Sequence, residues 1–181
     1  MPTESNNEVA PAEQALPSSN QKLTPSQIVA AFQRDHAGWI IEVVEAHGEV
    51  TAVVPHDHIV EVCTALKSGA DWQFDFLADL CGVDRGPEEE PRFEVNYHLF
   101  STSQYHRLRL KVLVADDSPR VPTVTGVWRT ANWHERETFD LFGIVFDGHP
   151  DLRRILLPED WQGHALRKDF PLRGYEPYSL K

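Results

Sequence analysis

The sequence has little cysteine and no long apolar run. Its two cysteines, Cys63 and Cys81, are too few and too far apart in the chain for an iron–sulfur cluster or a thiolate zinc site. We expect both to be buried thiols in a reducing compartment. No run of about 18 apolar residues occurs, so we expect no membrane-spanning helix. The N-terminal stretch MPTESNNEVAPAEQ lacks the basic and apolar parts of an export signal, so we expect no export.

Basic residues are also scarce and unevenly placed. The chain holds 17 Lys and Arg against 28 Asp and Glu, a net charge of −11. Residues 124–181 hold 8 basic and 9 acidic residues, whereas the rest of the chain holds 9 and 19. Nucleic acid is a poor partner, because binding it requires clustered basic residues to neutralise phosphates. The mixed charge of the C-terminal third is instead typical of a surface for protein contacts.

Composition divides the chain into three parts. Residues 1–24 are rich in Pro, Ser, Asn, Gln and Glu, so we predict a disordered tail. Residues 25–143 are predicted to form an α+β domain, and residues 144–181 an extended interaction segment. The domain should open with a short helix that starts at Thr24-Pro25 and runs to about Arg34, since proline is tolerated at the first helical position.

Alternating and β-branched residues predict the strands. Trp39 to Val44 and Val50 to Val54 read as a hairpin around an intervening His-Gly dipeptide, and a further extended stretch runs from Phe74 to Val83. Arg92 to Phe100 and Arg107 to Val114 alternate between apolar and polar residues. We expect each of them to place one face on a core and the other in water or against a partner.

Three-and-four spacing of apolar residues predicts the remaining helices. One should cover His56 to Lys67, with Asp57 as its cap and exposed imidazoles beside it. After a loop from Ala115 to Pro122, another should run from about Val124 to Phe142 and end at Gly143. The predicted fold class is therefore α+β, a small mixed or antiparallel sheet with helices against one side.

Beyond Gly143, glycine and proline interrupt the chain too often for long elements. Large apolar residues lie between these breakers, which a disordered tail would not carry: Ile144, Phe146, Ile155, Leu156, Leu157 and Trp161. We therefore expect an ordered, extended segment that another polypeptide must cover. In the isolated chain, Gly143 to Leu172 should be poorly packed, with Trp161 or Ile155 and Leu156 exposed.

The 38-residue stretch from Glu135 to Leu172, ERETFDLFGIVFDGHPDLRRILLPEDWQGHALRKDFPL, closely resembles the C subunit of proton-pumping NADH-quinone oxidoreductase (respiratory complex I), known as the 30 kDa subunit family. The upstream motifs FDFLADLCGVD, RFEVNYHLFS, HRLRLKV and ANWHERE extend the resemblance to roughly Val50. One departure is visible: Ala165 stands where the family usually has proline, which loosens that bend without removing a charge.

The resemblance implies an α+β subunit of the hydrophilic peripheral arm, which packs on the D subunit at the quinone site and lies near the B subunit. It implies that this chain binds no cofactor, because FMN and the Fe-S clusters belong to partner subunits. The chain would then lie peripherally on the cytoplasmic side of the inner membrane and would carry no catalytic residues. The equivalent subunit of a membrane-bound hydrogenase or another donor:quinone oxidoreductase is the alternative.

The candidate site residues are therefore partner contacts rather than catalytic or metal-binding groups. They are Trp133, Glu135, Arg136, Glu137, Asp140, His149, Arg153, Arg154, Asp160, Trp161, Arg167, Lys168 and Asp169. Arginine suits bidentate contacts with carboxylates, and tryptophan is enriched at interface hot spots. Arg136 and Asp140 are four apart and could instead bridge each other. Replacing Arg153 and Arg154 with glutamate should impair assembly while leaving the domain folded.

Two further classes of function remain as alternatives. A stand-alone hydrolase or metalloenzyme would use Glu135, Glu137 and His134, but residues two apart on a helix point about 200° away from each other. Such an enzyme requires a pocket in which these groups converge. A free-standing binding module would instead have a fully covered C-terminal segment. Neither a glycine-rich phosphate loop nor a Gly-x-Ser-x-Gly motif occurs.

Overall fold

A computed structural model describes residues 23–70, 72–116 and 118–175. The predicted tail, residues 1–24, lies outside the described residues except for its last two positions. The elements are α1 (Pro25–Asp35), β1 (Glu42–Ala46), β2 (Glu49–Val53), a 3-10 turn (His56–His58), α2 (Ile59–Ser68), β3 (Phe76–Asp84), β4 (Phe93–Ser101), β5 (His106–Val114), β6 (Arg120–Pro122), α3 (Ala131–Phe142) and β7 (Val145–Asp147).

The main sheet is mixed, with five strands in the order β1-β2-β5-β4-β3. Neighbouring strands are antiparallel except for β2 and β5, which run parallel. The short strands β6 and β7 form a separate parallel pair. The predicted α+β class with a small mixed sheet is confirmed.

Local sequence signals explain the first elements. Thr24 caps α1 through a reciprocal pair of hydrogen bonds with Gln27, and Pro25 occupies the first turn. The hairpin turn between β1 and β2 places His47 at φ 54° and Gly48 at φ 79°. Two consecutive positive φ angles are those of the turn that matches the twist of a hairpin. Both the predicted helix and the predicted hairpin are confirmed.

One face of the sheet forms the core. Phe93, Val95, Tyr97 and Leu99 of β4 are buried there, as their alternation predicted. The neighbouring strand β5 contributes Leu108, Leu110, Val112 and Val114. The helices lie on this face, because a Cβ atom on Gly82 of β3 would meet Phe142 and Thr138 of α3.

The opposite face of the sheet is polar and carries much of the charge of the strands. Arg109 and Lys111 of β5 lie across from His98 and Asn96 of β4, and Lys111 pairs with Glu94 at 3.0 Å. This is the wet or partner-facing side that the alternation predicted.

The predicted helix from Val124 is wrong in its first half, since α3 begins only at Ala131. Residues 124–130 form turns, in which the amides of Val127 and Trp128 donate to the carbonyl of Val124. Val124, Trp128 and Ala131 are all buried, so the turns satisfy the same apolar spacing that suggested a helix. Gly143 does end α3 in the left-handed conformation, at φ 75°.

Two smaller predictions also fail. Residues 120–122 form β6 instead of continuing the predicted loop, because Pro122 stands at the end of a short strand where its missing amide costs little. Asp57 does not cap α2: the 3-10 turn before the helix replaces a side-chain cap.

Candidate interaction surface

The C-terminal segment, residues 148–175, contains no helix or strand among its residues and is held by polar contacts to α3. Asp140, fully buried on α3, is the main anchor. Its Oδ2 accepts hydrogen bonds from the backbone amides of Ile155, Leu156 and Leu157 at 3.0, 2.8 and 2.9 Å. Its Oδ1 accepts from Arg154 at 2.6 Å. Burial opposes ionisation, but these donors outweigh it and hold the pKa of Asp140 below its ordinary value.

Two arginines complete this anchor. Arg136, one turn before Asp140, donates to the carbonyls of Arg153 and Arg154, both at 3.1 Å. The guanidinium of Arg154 also donates to the carbonyls of Trp161 and Gly163, at 3.1 and 3.0 Å. Arg154 therefore closes the loop between itself and Gly163 while it neutralises Asp140.

The segment also caps the C-terminus of α3. The carbonyl of Asp140 accepts from Arg154 at 3.1 Å and lies 2.9 Å from the Nδ1 of His164. The carbonyl of Leu141 accepts from the amide of Leu166, and that of Phe142 from Arg167 at 2.6 Å. These carbonyls have no partner within the helix, and cations are favoured at this end of its dipole.

A second polar cluster fixes the end of the segment to the sheet. Arg92, 4% exposed in its side chain, binds the buried Asp84 through two contacts of 2.9 Å and Asp169 at 2.8 Å. The amide of Lys168 donates to Asp84 at 2.7 Å. Burial alone would raise the pKa of Asp84, but Arg92 and the backbone amides of Lys168 and Gly86 lower it to about 2.

Apolar side chains near these anchors face outward. Leu156 and Leu166 of the segment are 60% and 51% exposed, and Trp133 of α3 is 61% exposed. Leu172 and Tyr175 are exposed as well. We call these five residues, four in the segment and Trp133 on α3, the apolar surface. Trp161 is only partly exposed, because it stacks on Phe170 with ring centroids 6.3 Å apart.

The expectation of poor packing is thus met only in part. Leu156 is exposed as predicted, whereas Ile155 and Trp161 are half-buried. The segment is closely bound to its own domain by hydrogen bonds, and Ile144 and Phe146 belong to the core. What the domain leaves uncovered is a set of side chains and not the backbone.

Glu135 was expected to be a surface carboxylate that contacts a partner. It is instead fully buried beneath the turns that precede α3. It accepts hydrogen bonds from the hydroxyl of Thr123 at 2.5 Å and the amide of Val124 at 2.8 Å. Burial raises the pKa of Glu135 to about 7 in spite of these donors. Its role is to hold the turns against α3.

The side chain of His149 is also fully covered, although the residue as a whole is half-buried. Its Nδ1 accepts from the amide of Asp151 at 3.0 Å, so the neutral ring carries its proton on Nε2, 3.3 Å from the carbonyl of Asn132. Burial lowers the pKa of His149. The ring is therefore neutral at neutral pH, and its 4.0 Å separation from Glu135 is not an ion pair.

The predicted contact residues differ in exposure. Glu135, Arg136 and Asp140 are buried and the His149 side chain is fully covered, so these four bind within the chain and are not exposed to a partner, whereas Trp161 is half-buried. Arg136 and Asp140 do not form an ion pair with each other. Each of them binds the C-terminal segment separately. Arg154 and Arg167 also bind backbone within the chain. The predicted residues that remain exposed are Trp133, Glu137, Arg153, Asp160, Lys168 and Asp169.

Sequence reasoning missed Arg92, Asp84 and Thr123. Arg92 and Asp84 lie eight residues apart across the loop between β3 and β4. No sequence pattern at this spacing indicates that two residues contact each other. Thr123 is half-buried and belongs to no motif. Glu135 and Glu137 do not converge: Glu137 is exposed, so the hydrolase arrangement is not formed. No helix within the described ranges is long and apolar enough to cross a bilayer.

The fold and the surface define a class of protein: a small α+β domain with an anchored C-terminal segment that carries exposed apolar side chains. Residues 52–176 match the family described as respiratory-chain NADH dehydrogenase, 30 Kd subunit. The chain belongs to this family.

Curated relatives support the assignment. The chain is 56% identical over 131 residues to the NADH-quinone oxidoreductase C subunit 2 of Rhizobium meliloti, which covers 72% of this chain and 71% of the relative. It is 44% identical over 155 residues to the NADH-quinone oxidoreductase C subunit of Geobacter sulfurreducens, covering 84% and 94%.

Solved structures share the fold. A trypsin-resistant fragment (1–134) of Nqo5 superimposes with a TM-score of 0.61 at 35% identity, over 71% of this chain and all of the fragment. A chain of the membrane-bound sulfane sulfur reductase, an archaeal respiratory membrane complex, superimposes with a TM-score of 0.69 at 25% identity, covering 81% and 85%.

Proposed function

We propose that this chain is a non-catalytic subunit of the peripheral arm of a proton-translocating NADH-quinone oxidoreductase, and that its C-terminal segment docks on another subunit. The names of its relatives support the enzyme. The observation that carries the docking role is the contrast within the segment: polar contacts fix its backbone, while Leu156, Leu166 and Trp133 stay exposed. Ordered apolar side chains on a rigid support are what a stable protein interface requires.

The partner we propose is the D subunit, which holds the quinone site, with the B subunit nearby, at the inner membrane on its cytoplasmic side. The same segment exposes Arg153, Asp160 and Lys168, which carry both signs of charge. A polar rim around an apolar centre is the usual anatomy of such contacts. In this proposal the electrons pass through FMN and Fe-S clusters in other subunits, and this chain holds no redox cofactor.

The resemblance to a chain of the sulfane sulfur reductase supports a second candidate function. In this alternative the chain is the equivalent subunit of a related membrane-bound respiratory complex. Its members would share the fold and the docking surface. Identification of the proteins that co-purify with this chain from solubilised membranes distinguishes the two, because only the NADH enzyme includes an NADH-oxidising flavoprotein.

The docking role is tested by the double variant Leu156→Ser and Leu166→Ser. Both side chains are more than half exposed, so the isolated chain should keep its free energy of unfolding within about 0.5 kcal/mol. Co-purification of the D and B subunits with the tagged chain should fall at least about tenfold if each leucine contributes about 1 kcal/mol at the interface.

The matched control is Ile41→Ser, since Ile41 is 67% exposed on the other end of the domain. It should co-purify with the same partners as the unchanged chain. Undiminished recovery of the D and B subunits with the double variant would remove the apolar surface from the interface. Equal loss with Ile41→Ser would show that exposed apolar residues in general, and not this segment, determine assembly.

A further inference from the structure

Three side chains of metal-ligating types meet on the polar face of the sheet near its β3 edge, and a fourth lies beside one of them. Asp79 and Cys81 of β3 and His98 of β4 place one ligand atom each within 4.8 Å of one another. The Nδ1 of His134, on α3, lies 3.5 Å from the Oδ1 of Asp79. Two strands thus bring a carboxylate, a thiol and an imidazole together, and α3 places a second imidazole beside the carboxylate.

The backbone fixes this meeting. Asp79 and Cys81 are two apart on one strand, so they lie on the same face of the sheet. His98 is the direct cross-strand partner of Asp79 and the diagonal neighbour of Cys81. The register shifts between Leu77 and Asp79, and this bulge aligns Asp79 with His98. Bulges commonly re-aim a side chain in this manner.

We propose that Asp79, Cys81 and His98 bind a divalent cation of the zinc type, with His134 in contact with the Asp79 carboxylate. Zinc favours four nitrogen, sulfur and oxygen ligands in a tetrahedron, with bonds of about 2.0–2.3 Å. Neighbouring ligand atoms in that geometry are about 3.3–3.8 Å apart. The ligand atoms of Asp79, Cys81 and His98 lie within 4.8 Å of one another, so small side-chain rotations bring them to this spacing, and a water molecule would complete the tetrahedron. His134, 3.5 Å from Asp79, would orient that carboxylate.

The charge around Cys81 is mixed, since the carboxylates of Asp79 and Glu137 favour a bound cation and Arg109 opposes it. Burial and these carboxylates raise the pKa of the Cys81 thiol, so the free side chain keeps its proton. A bound cation reverses this balance: the Cys81 thiol loses its proton to solvent as the metal–sulfur bond forms, and no oxidant is required. The other cysteine, Cys63, is fully buried in the core and lies outside this cluster.

The experiment uses the purified full chain, freed of metal with a chelator and titrated with Co²⁺ as a spectroscopic probe for zinc. One equivalent should produce a thiolate-to-cobalt charge-transfer band together with the intense visible bands of tetrahedral cobalt, and Zn²⁺ should displace both. Cys81→Ser should abolish the charge-transfer band. Asp79→Asn and His98→Gln should each weaken binding by roughly 10- to 100-fold or more, since even outer-shell changes reach that size.

The matched control is His56→Gln, an exposed histidine away from the cluster, which should bind as the unchanged chain does. Circular dichroism establishes that each variant is folded, and three independent ligand variants ensure that one unstable protein does not decide the result. Absence of a charge-transfer band in the unchanged chain overturns the proposal. So does a band that persists in Cys81→Ser, or an affinity that is the same in Asp79→Asn and His98→Gln as in the unchanged chain.

Discussion

The sheet domain and the C-terminal segment are stabilised by different interactions. The domain buries continuous rows of apolar side chains from β4, β5 and the helices. The segment, residues 148–175, has no helix or strand in its described residues and relies on Asp140, Arg154 and Arg92 to satisfy its polar groups. Apolar burial is tolerant of small changes, whereas a buried charge that loses its partner is costly. Because polar contacts hold the backbone of the segment in place, its apolar side chains are available to contact another chain.

The largest effect should come from Asp140→Asn. The substituted amide has the size of the carboxylate, but its NH₂ group must face either the three amides of residues 155–157 or Arg154, all of which are donors. Breaking a buried charged pair costs about 3–5 kcal/mol, so the free energy of unfolding in urea should fall by that amount. Limited proteolysis should cut first within residues 148–175.

The matched control for this variant is Asp151→Asn, in which the pair with Arg153 is more than half exposed on both sides. Exposed pairs contribute little, so the change should stay below about 1 kcal/mol. The pKa of Asp140 is lowered, so its contribution is present above the ordinary carboxyl pKa and is lost as the pH falls through the lowered value. Equal stability of Asp140→Asn and the unchanged chain at neutral pH would show that the segment does not depend on this anchor.

A second prediction concerns the domain side of the comparison, where one carboxyl is buried without a cation. The pKa of Glu135 is raised to about 7, so the folded state holds its proton more tightly than the unfolded state does. The unfolding free energy should therefore decrease as the pH rises from about 4.5 to about 7. Glu135→Gln cannot titrate, and between pH 5 and pH 8 it should gain about 2 kcal/mol relative to the unchanged chain.

The titratable groups near Glu135 are His149, Cys63 and Tyr97, and Thr123 donates to its carboxyl; none of these groups is a cation at neutral pH. Urea unfolding at a series of pH values measures the effect, and the exposed Glu137→Gln should show no such trend. A stability difference between Glu135→Gln and the unchanged chain that does not vary with pH would place the Glu135 pKa at an ordinary value.

The sequence predicted the domain better than it predicted the segment. Alternation along β4 and β5 determines which residues are buried, because a strand has only two faces. Gly143 was found as a helix end, since the left-handed conformation favours glycine. Charged residues gave no such guidance: Glu135 and Glu137 look alike in the sequence, yet one is buried and the other exposed. Their difference in exposure depends on the turns at residues 124–130, where the apolar spacing wrongly predicted a helix.

The smallest predicted effect on stability concerns Gly143, at the junction between the sheet domain and the C-terminal segment. Gly143 and Gly48 have nearly the same positive φ, 75° and 79°, so alanine costs about 1–2 kcal/mol at either position. The new methyl group at Gly48 would meet nothing within 4 Å. At Gly143 it would lie 2.5 Å from the Nε2 of His164 and 2.6 Å from Nη2 of Arg167, which must both move.

Those two side chains cap the end of α3. Gly143→Ala should therefore lower the unfolding free energy by about 1 kcal/mol more than Gly48→Ala, and only Gly143→Ala should make residues 148–175 more sensitive to protease. Urea unfolding and timed proteolysis of the two variants measure both differences. If the two alanines cost the same and leave proteolysis unchanged, the caps from His164 and Arg167 contribute nothing, and Asp140 with Arg154 must hold the segment without them.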